Sequence, residues 1–383
     1  MNRTDPKSNA PIMMLSAGNG FIMQSEKYSR DNAGQSLKKY ILLKQGELAY
    51  NHGASKAKQF GCCYELTEPE ARIPYVYHCF KINDHEYTPF IAMALNNAKM
   101  DKQLKRLVSS SVRMDGLLNI SFEDYMSVTL HLPSSTEQKH IADFLKKIDE
   151  RIAAQEKLLA SLKKYKRGLS NSLFDRLSAG SESRLCIFGD MMTILQNNTF
   201  SRDNLSVGGN GVRNIHYGDV LIKYGAVLDL HSENVPVINA EQDISKFSAL
   251  SYLRNGDVVF ADTAEDYTVG KSTEIIGAEN IAALSGLHTI PCRPQDSFAP
   301  MYLGYYFNSD YFKKQLYPMI QGTKVSSISK SEIIKTKIIV PCLQEQARIA
   351  SIMSALDDRI DAAKHTTKDL IDLRSGLLQQ LFI

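Results

Sequence analysis

The sequence predicts an α+β protein in which two mixed α/β modules alternate with two long helices. Two observations predict this architecture. A 55-residue stretch occurs twice, and the segment before each copy consists of short β-rich runs broken by glycine and asparagine. Two similar units on one chain tend to pack about a pseudo-twofold axis. We therefore expect the two helices to form an antiparallel coiled coil in a pseudo-twofold arrangement.

The repeat aligns residues 120–174 with residues 328–382 at a constant shift of 208 positions, with 16 identities and no gap. So many ungapped matches are hard to obtain by chance. The repeat predicts the division of the chain: a first module at 1–132, a first helix at 133–178, a second module at 179–340 and a second helix at 341–383.

Each helix is expected to begin just after a proline, Pro133 or Pro341. In the first copy, Ser134 and Glu137 have the spacing of a capping box, in which the two side chains bind backbone N–H groups at the helix start. The second copy has Cys342 at the cap position and loses the box.

Apolar residues recur along both helices in alternating steps of four and three, the a/d pattern of a coiled coil. The predicted seam consists of Ile141, Leu145, Ile148, Ile152, Leu159, Leu162, Leu169, Leu173, Ile349, Met353, Leu356, Ile360, Leu370, Leu377 and Leu381. It is interrupted at matching places, by Gln155 and Ala363 and again by Lys166 and Arg374. A 3.5-residue period gives a narrow stripe that suits one partner helix. The alternative is that each helix packs separately on its own module.

The two modules look like relatives that have diverged further than the helices. The stretches "YILLKQGELAYN" (40–51) and "YLRNGDVVFAD" (252–262) each predict a strand, a glycine-centred turn and a second strand. Later in each module, "PFIAMALNN" (89–97) and "PMYLGYYFNS" (300–309) predict a short helix.

Length and composition limit the class of protein. A chain of 383 residues suits two or three domains. The net charge of +3 is too small to indicate nucleic-acid binding by itself, so any contact with a polyanion must come from local clusters. The six cysteines have no metal-ligand or disulfide spacing, which predicts reduced, half-buried thiols. Without a long apolar run or a signal-peptide layout, we expect a cytoplasmic protein.

The motifs that could indicate cofactor binding are incomplete. The run "VGKS" (269–272) lacks the earlier glycine of a phosphate loop, because position 265 is glutamate. "GNG" at 18–20 and 209–211 lacks the third glycine of a dinucleotide fingerprint. "NAPI" (9–12) does not match an amino-methyltransferase signature. We therefore expect no cofactor, no metal and no catalytic residue in this chain.

The doubled helix start has the form P…EQ…IA…D.RI, at 133–152 and 341–360. Together with "GDVVFADTAEDYTVGKS" (256–272), "GLHTIPCRP" (286–294) and "QGTKVSSISKSEI" (321–333), it resembles the specificity (S) subunit of a type I restriction-modification system. That family alternates target-recognition domains with conserved helices. The resemblance covers nearly the whole chain.

The first module departs from the family pattern. In the second module, "SRLCIFGDMMTILQN" (183–197) is similar to the usual lead-in of a family recognition domain. The first module has no clear counterpart of that lead-in. This departure leaves open whether the first module is complete.

The resemblance implies a non-catalytic DNA-recognition subunit whose two modules each read one half of a bipartite target. The implied partners are double-stranded DNA, two adenine methyltransferase (M) subunits and optionally two restriction (R) subunits, with no membrane. S-adenosylmethionine, ATP and Mg²⁺ would be bound by those partner subunits. A partner that methylates a base must flip it out of the stack while this subunit holds the register.

DNA contact requires basic groups for phosphates and amide, hydroxyl or basic groups for base edges. The candidates in the first module are Lys27, Tyr28, Ser29, Arg30, Lys38, Lys39, Asn51, His52, Ser55, Lys56 and Arg113. Those in the second module are Asn197, Asn198, Ser201, Arg202, Arg213, Asn214, His216, Tyr217, Lys223, Lys271, Gln321, Thr323 and Lys324.

Two other functions stay open at this point. A stand-alone sequence-specific DNA-binding regulator would use the same residues, but should bind its site tightly without a partner. A DNA hydrolase would need the carboxylates of Asp262, Glu265 and Asp266 beside Lys271, a spacing that loosely resembles a nuclease centre. Solvated loop charges explain that cluster equally well.

Overall fold

The structure is a computed structural model that describes residues 4–5, 7–27, 34–56, 58–108, 118–181, 183–232, 235–266, 268–322 and 325–382, without the side chains of 34–36. Contacts between Cα atoms divide the chain into two compact units. Unit 1 comprises residues 1–156 and 365–383, and unit 2 comprises residues 157–364.

The strands of unit 1 are short: β1 (Met13–Ser16), β2 (Gly20–Met23), β3 (Ile41–Lys44), β4 (Leu48–Asn51), β5 (Cys62–Glu65), β6 (Glu70–Ile73) and β7 (His78–Phe80). Its helices are α1 (Gln24–Lys27), α2 (Thr88–Ala94), α3 (Ala98–Leu107), α4 (Phe122–Met126) and the first part of α5 (Ser135–Ala179), with a 3-10 helix at Gly34–Lys39. The strands pair as β1-β2, β3-β6 and a three-stranded sheet in the order β5-β4-β7.

Unit 2 contains the strands β8 (Arg184–Ile187), β9 (Met192–Ile194), β10 (Leu205–Ser206), β11 (Arg213–Ile215), β12 (Val227–Asp229), β13 (Val237–Ile238), β14 (Val258–Ala261), β15 (Thr263–Ala264), β16 (Ser272–Ile276), β17 (Ala283–Ser285), β18 (Thr289–Pro294), β19 (Ser326–Ser327) and β20 (Lys337–Val340). Its helices are α6 (Phe188–Met191), α7 (Tyr217–Ile222), α8 (Tyr302–Phe307), α9 (Asp310–Leu316), α10 (Lys330–Ile333) and the first part of α11 (Leu343–Leu381), with 3-10 helices at Arg202–Asn204 and Tyr317–Met319.

The main sheet of unit 2 has five strands in the order β12-β16-β14-β18-β9. A second sheet has the order β10-β13-β11-β17, and two smaller pairs are β15-β19 and β20-β8. The core under the main sheet is aromatic: Phe188, Phe260, Tyr306, Phe307 and Phe312 are almost fully buried. Both units therefore combine sheets with helices, as predicted; the named strand pairs of unit 1 are antiparallel, whereas the two larger sheets of unit 2 contain parallel and antiparallel pairs.

The predicted helices in the modules are confirmed as α2 and α8, whereas one predicted strand is wrong. Residues 40–51 form β3 and β4 around Gly46, whose φ of 79° suits glycine. In 252–262 only β14 forms, and Tyr252 makes an isolated bridge. The Arg293 guanidinium donates to the Tyr252 carbonyl at 2.7 Å, so a side chain takes up that backbone acceptor.

A buried glutamine ties the start of α5 to the module before it. Gln138 is only 1% exposed. Its Nε2 donates to the Pro133 carbonyl at 2.9 Å, and its Oε1 accepts from the Tyr87 N–H at 3.0 Å. Tyr87 is the N-cap position of α2. One amide therefore satisfies a backbone group of the long helix and another of the short helix.

The second copy repeats this arrangement in unit 2. Gln346 is also 1% exposed. Its Nε2 donates to the Pro341 carbonyl at 2.8 Å, and its Oε1 accepts from the Ala299 N–H at 2.9 Å, just before α8. We call the two arrangements the glutamine clamps, and they explain why the "EQ" of the repeat is present twice.

An asparagine gives further support for kinship between the modules. Asn96 Nδ2 donates to the carbonyls of Ala92 and Cys63, and its Oδ1 accepts from the Cys63 N–H at 3.1 Å. In unit 2, Asn308 binds in the same way to Gly304 and to Ser272. The helix α2 and strand β5 of unit 1 thus correspond to α8 and β16 of unit 2.

The long helices pair antiparallel within each unit. In unit 2, Lys166 forms an ion pair with Asp357, and Arg176 lies 3.2 Å from Glu345. From the first ion pair to the second, the residue number rises along α5 and falls along α11. The paired segments therefore run in opposite directions, as predicted. All fifteen predicted seam residues are buried or half-buried.

The same ion pair occurs in unit 1. Arg374 binds Asp149, with Nη2 3.1 Å from Oδ2. Arg374 and Asp149 stand 208 residues from Lys166 and Asp357, respectively. In the same unit the Phe382 ring, near the end of α11, packs 5.0 Å from Phe90. Lys166 and Arg374, the charged interruptions of the seam, therefore each form an ion pair with the opposite helix.

The cysteines carry free thiols, as predicted. All six cysteines are free; Cys62, Cys63, Cys79 and Cys292 are buried, and only Cys342 is exposed. Burial raises the pKa of the Cys62 thiol to about 11.

Within the described parts of the chain, no helix is long and apolar enough to cross a membrane.

A buried carboxylate holds the start of α8. Glu274 in β16 is 2% exposed and accepts from the N–H groups of Met301 at 2.6 Å and Gly304 at 2.8 Å. Met301 has a φ of 71°, a conformation that costs energy for a side chain other than glycine. Burial raises the pKa of Glu274 to about 7.

Replacing Gln346 by alanine should lower the free energy of unfolding by about 1–3 kcal/mol, because the Ala299 N–H and the Pro341 carbonyl lose their partner in a buried site. Gln344→Ala, two residues away on the exposed face of α11, should change it by less than about 0.5 kcal/mol. Urea unfolding followed by circular dichroism measures both. Equal effects of the two variants would contradict the clamp.

The stability of unit 2 should depend on pH through Glu274. Its folded pKa of about 7 lies above the ordinary value of 4.5, so the protonated carboxyl favours the folded state. The corresponding stabilisation is complete below pH 4.5 and is lost as the pH rises to about 7, by on the order of 3 kcal/mol. Urea unfolding from pH 5 to 8 measures it. Glu274→Gln should flatten this slope, and Glu279→Gln, at an exposed position, should retain it.

Candidate nucleic-acid interface

In unit 2, side chains from four segments form a continuous strip, which we call the polar strip: Arg202, His216, Tyr217, Thr263 and His288. Arg202 Nη2 lies 3.3 Å from His216 Nδ1. The His216 and Tyr217 rings are 4.7 Å apart, and Tyr217 meets His288 edge-on at 5.2 Å. His288 Nδ1 in turn lies 3.5 Å from the Thr263 hydroxyl.

A buried aspartate organises the basic end of the polar strip. Asp219 is 1% exposed; it accepts from Arg202 at 2.6 Å and lies 3.0 Å from Lys223 Nζ. Burial opposes ionisation of Asp219, but the hydrogen bonds from Arg202 and Lys223 outweigh it and hold the pKa below its ordinary value. Because about half of each basic side chain stays exposed, both cations are held in place yet can meet a phosphate.

His216 has a structural role at this end of the strip. It is buried, and its Nδ1 accepts from the Gly218 N–H at 3.2 Å, which caps α7. Burial, and then the Arg202 charge, lower the pKa of His216. A neutral imidazole can accept this hydrogen bond, whereas a protonated one cannot.

His288 and Thr263 are the residues of the polar strip that the sequence-based candidates missed. The φ of His288 is left-handed at 54°, and its side chain is 49% exposed between Tyr217 and Thr263. Such a conformation persists in a non-glycine residue only where the surroundings impose it. The sequence shows a histidine in "GLHTIPCRP" but carries no signal for its backbone conformation.

Several of the unit 2 candidates serve the fold instead of the surface. Asn198 and Asn214 are 1% and 0% exposed, and Asn198 Nδ2 donates to Asn214 Oδ1 at 2.6 Å. Together with the buried His216, these side chains are packed inside the unit, and DNA contact by these three stays a prediction. Arg213 donates to the Ser232 carbonyl, and Lys271 donates to that of Leu221 at 2.9 Å.

The other candidates of unit 2 lie nearer the surface. Asn197 is half-buried and accepts from Lys330 Nζ at 3.3 Å. Ser201 is exposed and precedes Arg202, and Gln321 is exposed where it bridges to Ser327.

In unit 1, the exposed candidates are Lys27, Lys38, Lys39, Ser55 and Lys56. Lys39 Nζ lies 5.8 Å from the Tyr75 ring. Ser55 Oγ accepts from the Lys58 N–H at 3.1 Å, which shapes the loop after β4.

Two candidates of unit 1, Asn51 and His52, have less exposed side chains. Asn51 is half-buried and accepts from the Gly53 N–H at 3.0 Å. His52 is buried, with its ring 5.0 Å from His78, and DNA contact by this residue stays a prediction. The candidates Tyr28, Ser29, Arg30, Arg113, Thr323 and Lys324 lie outside the described residues.

The carboxylates near 262–266 do not converge on one site. Asp262 accepts from the Thr263 hydroxyl at 2.7 Å, whereas Asp266 accepts from the Thr268 backbone and hydroxyl. Lys271 binds a carbonyl elsewhere. Among the residues that the structure describes, no group of three His, Cys, Asp or Glu side chains is placed to hold a metal ion.

Two related modules, each clamped to one of two antiparallel helices, define a duplicated recognition scaffold. The family described as type I restriction modification DNA specificity domain matches residues 38–164 and 189–372. The chain belongs to this family, whose members are the DNA-recognition, non-catalytic subunits of type I restriction-modification systems.

Individual relatives agree with this assignment. The type I restriction enzyme MjaVIII specificity subunit of Methanocaldococcus jannaschii is 22% identical over 298 residues, which cover 74% of this chain and 67% of that protein. The type I restriction-modification S subunit from M. genitalium has a TM-score of 0.56 at 15% identity, over 99% of this chain and 90% of that one.

A further solved chain comes from a structure of complex assembly and conformational transition in the type I R-M system. It has a TM-score of 0.57 at 18% identity, over 100% of this chain and 94% of that one. At these identities the solved structures show a shared fold.

Proposed function

We propose that this chain reads a bipartite DNA sequence, with one half-site for each unit, and holds M subunits, and R subunits where they exist, over the site. The observation that carries the proposal is the duplication of both the glutamine clamp and the interhelical ion pair. The framework is repeated, while the side chains displayed by the two modules differ.

In unit 2 we assign DNA reading to the polar strip. Arg202 and Lys223 would meet phosphates, and Tyr217, Thr263 and His288 would reach base edges. This division follows the usual one, in which phosphate contacts position the protein and base contacts give specificity. In unit 1 we assign phosphate contact to Lys38, Lys39 and Lys56, and base contact to Ser55.

We assign the two readers to residues 1–132 and 179–340, and the spacer to the helices at 133–178 and 341–383. In this proposal the two readers read opposite strands, with half-sites about one helical turn apart. The helix pair would then set the number of unread base pairs between the half-sites.

The exposed faces of the helices are the proposed docking surface for M subunits. Gly168 and Gly376 are equivalent in the repeat, and no atom of the described residues lies within 4 Å of where a Cβ would stand on either. A glycine inside a helix costs about 1 kcal/mol relative to alanine, and neither glycine is required by packing within the chain. Tyr165 and Leu373, three residues before them, are 60% and 52% exposed. Glycine beside an exposed apolar side chain permits close approach of a partner helix.

The chemistry belongs to the partners in this proposal. S-adenosylmethionine would bind to the M subunits, and ATP and Mg²⁺ would serve the R subunits. The assembly would act in the cytoplasm, where the chromosome is accessible.

The proposal is tested by co-expressing the chain with a cognate M subunit and mapping methylated adenines across the genome. The expected result is a split motif. Tyr217→Ala and His288→Ala should each relax the sequence requirement of one half-site and leave the other half-site unchanged. The reason is that each substitution removes one base contact worth about 1–3 kcal/mol. Gln242→Ala, at a half-buried position outside the polar strip, is the matched control and should leave the motif unchanged. A continuous motif would contradict the proposal, and tight binding by the isolated chain would favour the stand-alone regulator.

Lengthening both helices should widen the gap in the motif. Inserting seven residues after Gln155 and seven after Ala363 preserves the heptad phase of the seam. The half-sites should keep their sequences while the spacer grows, which the methylation map measures directly. An unchanged spacer would contradict the role of the helix pair as a spacer.

A further inference from the structure

We propose that four buried polar residues of unit 2 are positioning residues for DNA reading. The four residues, which we call the buried polar cluster, are Asn198, Asn214, Ser285 and Thr289. Because DNA reading is assigned to the polar strip in the proposed function, on which this inference rests, these residues would act through the strip and not by touching DNA. The cluster would hold the side chains of the strip in one arrangement.

The members of the buried polar cluster are bonded to one another inside unit 2. Each of them is at most 1% exposed. Asn198 Nδ2 donates to Asn214 Oδ1 at 2.6 Å, and the Asn198 N–H donates to the Ser285 carbonyl at 2.8 Å. The hydroxyl oxygens of Ser285 and Thr289 lie 2.7 Å apart. Three separate segments of the chain are therefore joined by polar groups that are shielded from solvent.

Two members of the cluster each precede a residue of the polar strip in the chain. Asn198 stands four positions before Arg202, and its Oδ1 accepts from the Phe200 N–H at 3.1 Å, which fixes the backbone between them. Asn214 stands three positions before Tyr217. Because the amides of Asn198 and Asn214 bind each other, the segment of the arginine is held to the segment of the tyrosine.

Thr289 holds the turn that displays His288. Its hydroxyl donates to the Gly286 carbonyl, three residues earlier, and so closes the turn around the left-handed backbone of His288. The His288 carbonyl accepts from the Asp262 N–H at 3.1 Å, next to Thr263 of the polar strip. A change in this turn would therefore move His288 relative to Thr263.

The same turn packs against the segment that carries Tyr217. The Gly286 N–H donates to the Ile215 carbonyl at 2.9 Å, and the Tyr217 N–H donates to the Leu287 carbonyl at 3.4 Å. A Cβ on Gly286 would lie only 2.7 Å from Asn214 Nδ2, so this close approach requires glycine. The turn is thus in direct contact with the residues that lead into α7.

Stability alone does not require polar groups at this place. A buried hydrogen bond adds little net stability, and replacing both partners by apolar groups of the same shape can be nearly neutral. A bonded polar cluster instead favours one geometry, because each donor must meet its acceptor. A binding site must be held within about 0.5 Å of its productive geometry, and buried hydrogen bonds behind the contacting residues can provide this precision.

The cluster lies in a part of unit 2 that the two units do not share. Asn214 and Ser285 lie on the neighbouring strands β11 and β17, which run parallel, whereas the named strand pairs described in unit 1 are antiparallel. The shared framework lies elsewhere: besides the glutamine clamps, Gln103 and Gln315 bind the segment before each long helix in the same way. Residues that set the specificity of one half-site are expected outside that framework.

Removal of one hydroxyl tests the role of the cluster. Thr289→Val keeps the shape of the side chain and removes its hydrogen bonds to Gly286 and Ser285. With the M subunit co-expressed and methylated adenines mapped, it should lower discrimination by at least about fivefold at the positions that His288→Ala also relaxes. Thr289→Ser, which keeps the hydroxyl, should retain the parental motif. An unchanged motif in Thr289→Val, with His288→Ala relaxed, would overturn the proposal.

Thr336→Val is the matched control. Thr336 is 1% exposed, and its hydroxyl also donates to a carbonyl three residues earlier, that of Ile333 at 2.7 Å. Both valine variants should lower the urea midpoint of unfolding by a similar amount, but only Thr289→Val should change the motif. Equal changes of the motif in both variants would show a general effect of stability and would overturn the proposal.

The double variant tests whether Thr289 acts through His288. In a His288→Ala background, Thr289→Val should add less than about twofold to the loss of discrimination, because residues that act as one unit are not additive. Effects that multiply in full would overturn the proposal. If His288→Ala itself left the motif unchanged, reading by the polar strip would be contradicted, and this inference with it.

Hydrogen exchange gives a measurement that does not depend on DNA. The N–H groups of Tyr217 and Asp262 donate to carbonyls of the turn. In Thr289→Val, the segments 214–219 and 260–264 should exchange faster than in the parent chain, as followed by mass spectrometry, whereas Thr336→Val should leave both segments unchanged. Unchanged exchange in Thr289→Val would overturn the proposal.

Discussion

The architecture depends on one side chain that is used twice, the buried amide of Gln138 and of Gln346. Each amide donates to the carbonyl of a proline at the start of a long helix and accepts from an N–H at the start of a short helix in the module. A carboxamide carries a donor N–H and an acceptor oxygen on two separate atoms of one uncharged group, and the glutamine side chain here reaches both backbone partners. The amide therefore fixes the helix to the module without burying a charge.

The helix pair adds a second constraint through its charges. The seam residues are mostly aliphatic and would tolerate a shift along the helix by one heptad. The pairs Asp149–Arg374 and Lys166–Asp357 each place opposite charges at one level of the seam, and such a pair is lost if the helices slide. Partly buried charges of this kind contribute more to register than to stability. A defined register is what a protein needs if its helices are to act as a spacer.

The two modules have kept their internal framework and have changed their surfaces. The asparagine between helix and strand, and the glutamine on the segment before each long helix, recur in both units with the same partners. The polar strip has been identified only in unit 2, and the segment that covers β20 has no described counterpart in unit 1. Divergence of this kind allows each module to acquire its own ligand while the attachment to the helices stays the same.

The sequence by itself determined the duplication, the two long helices, their antiparallel pairing and the family. These features can be derived because a repeat supplies its own comparison and because a heptad pattern is local. Of the predicted capping box, the hydrogen bond from the Glu137 N–H to Ser134 Oγ is present at 3.4 Å. The tertiary structure decided which polar residues are buried, as with Asn198, Asn214 and His52, and which residue takes a left-handed backbone, as with His288. These outcomes depend on contacts between residues far apart in the chain, and no periodicity or motif reports such contacts.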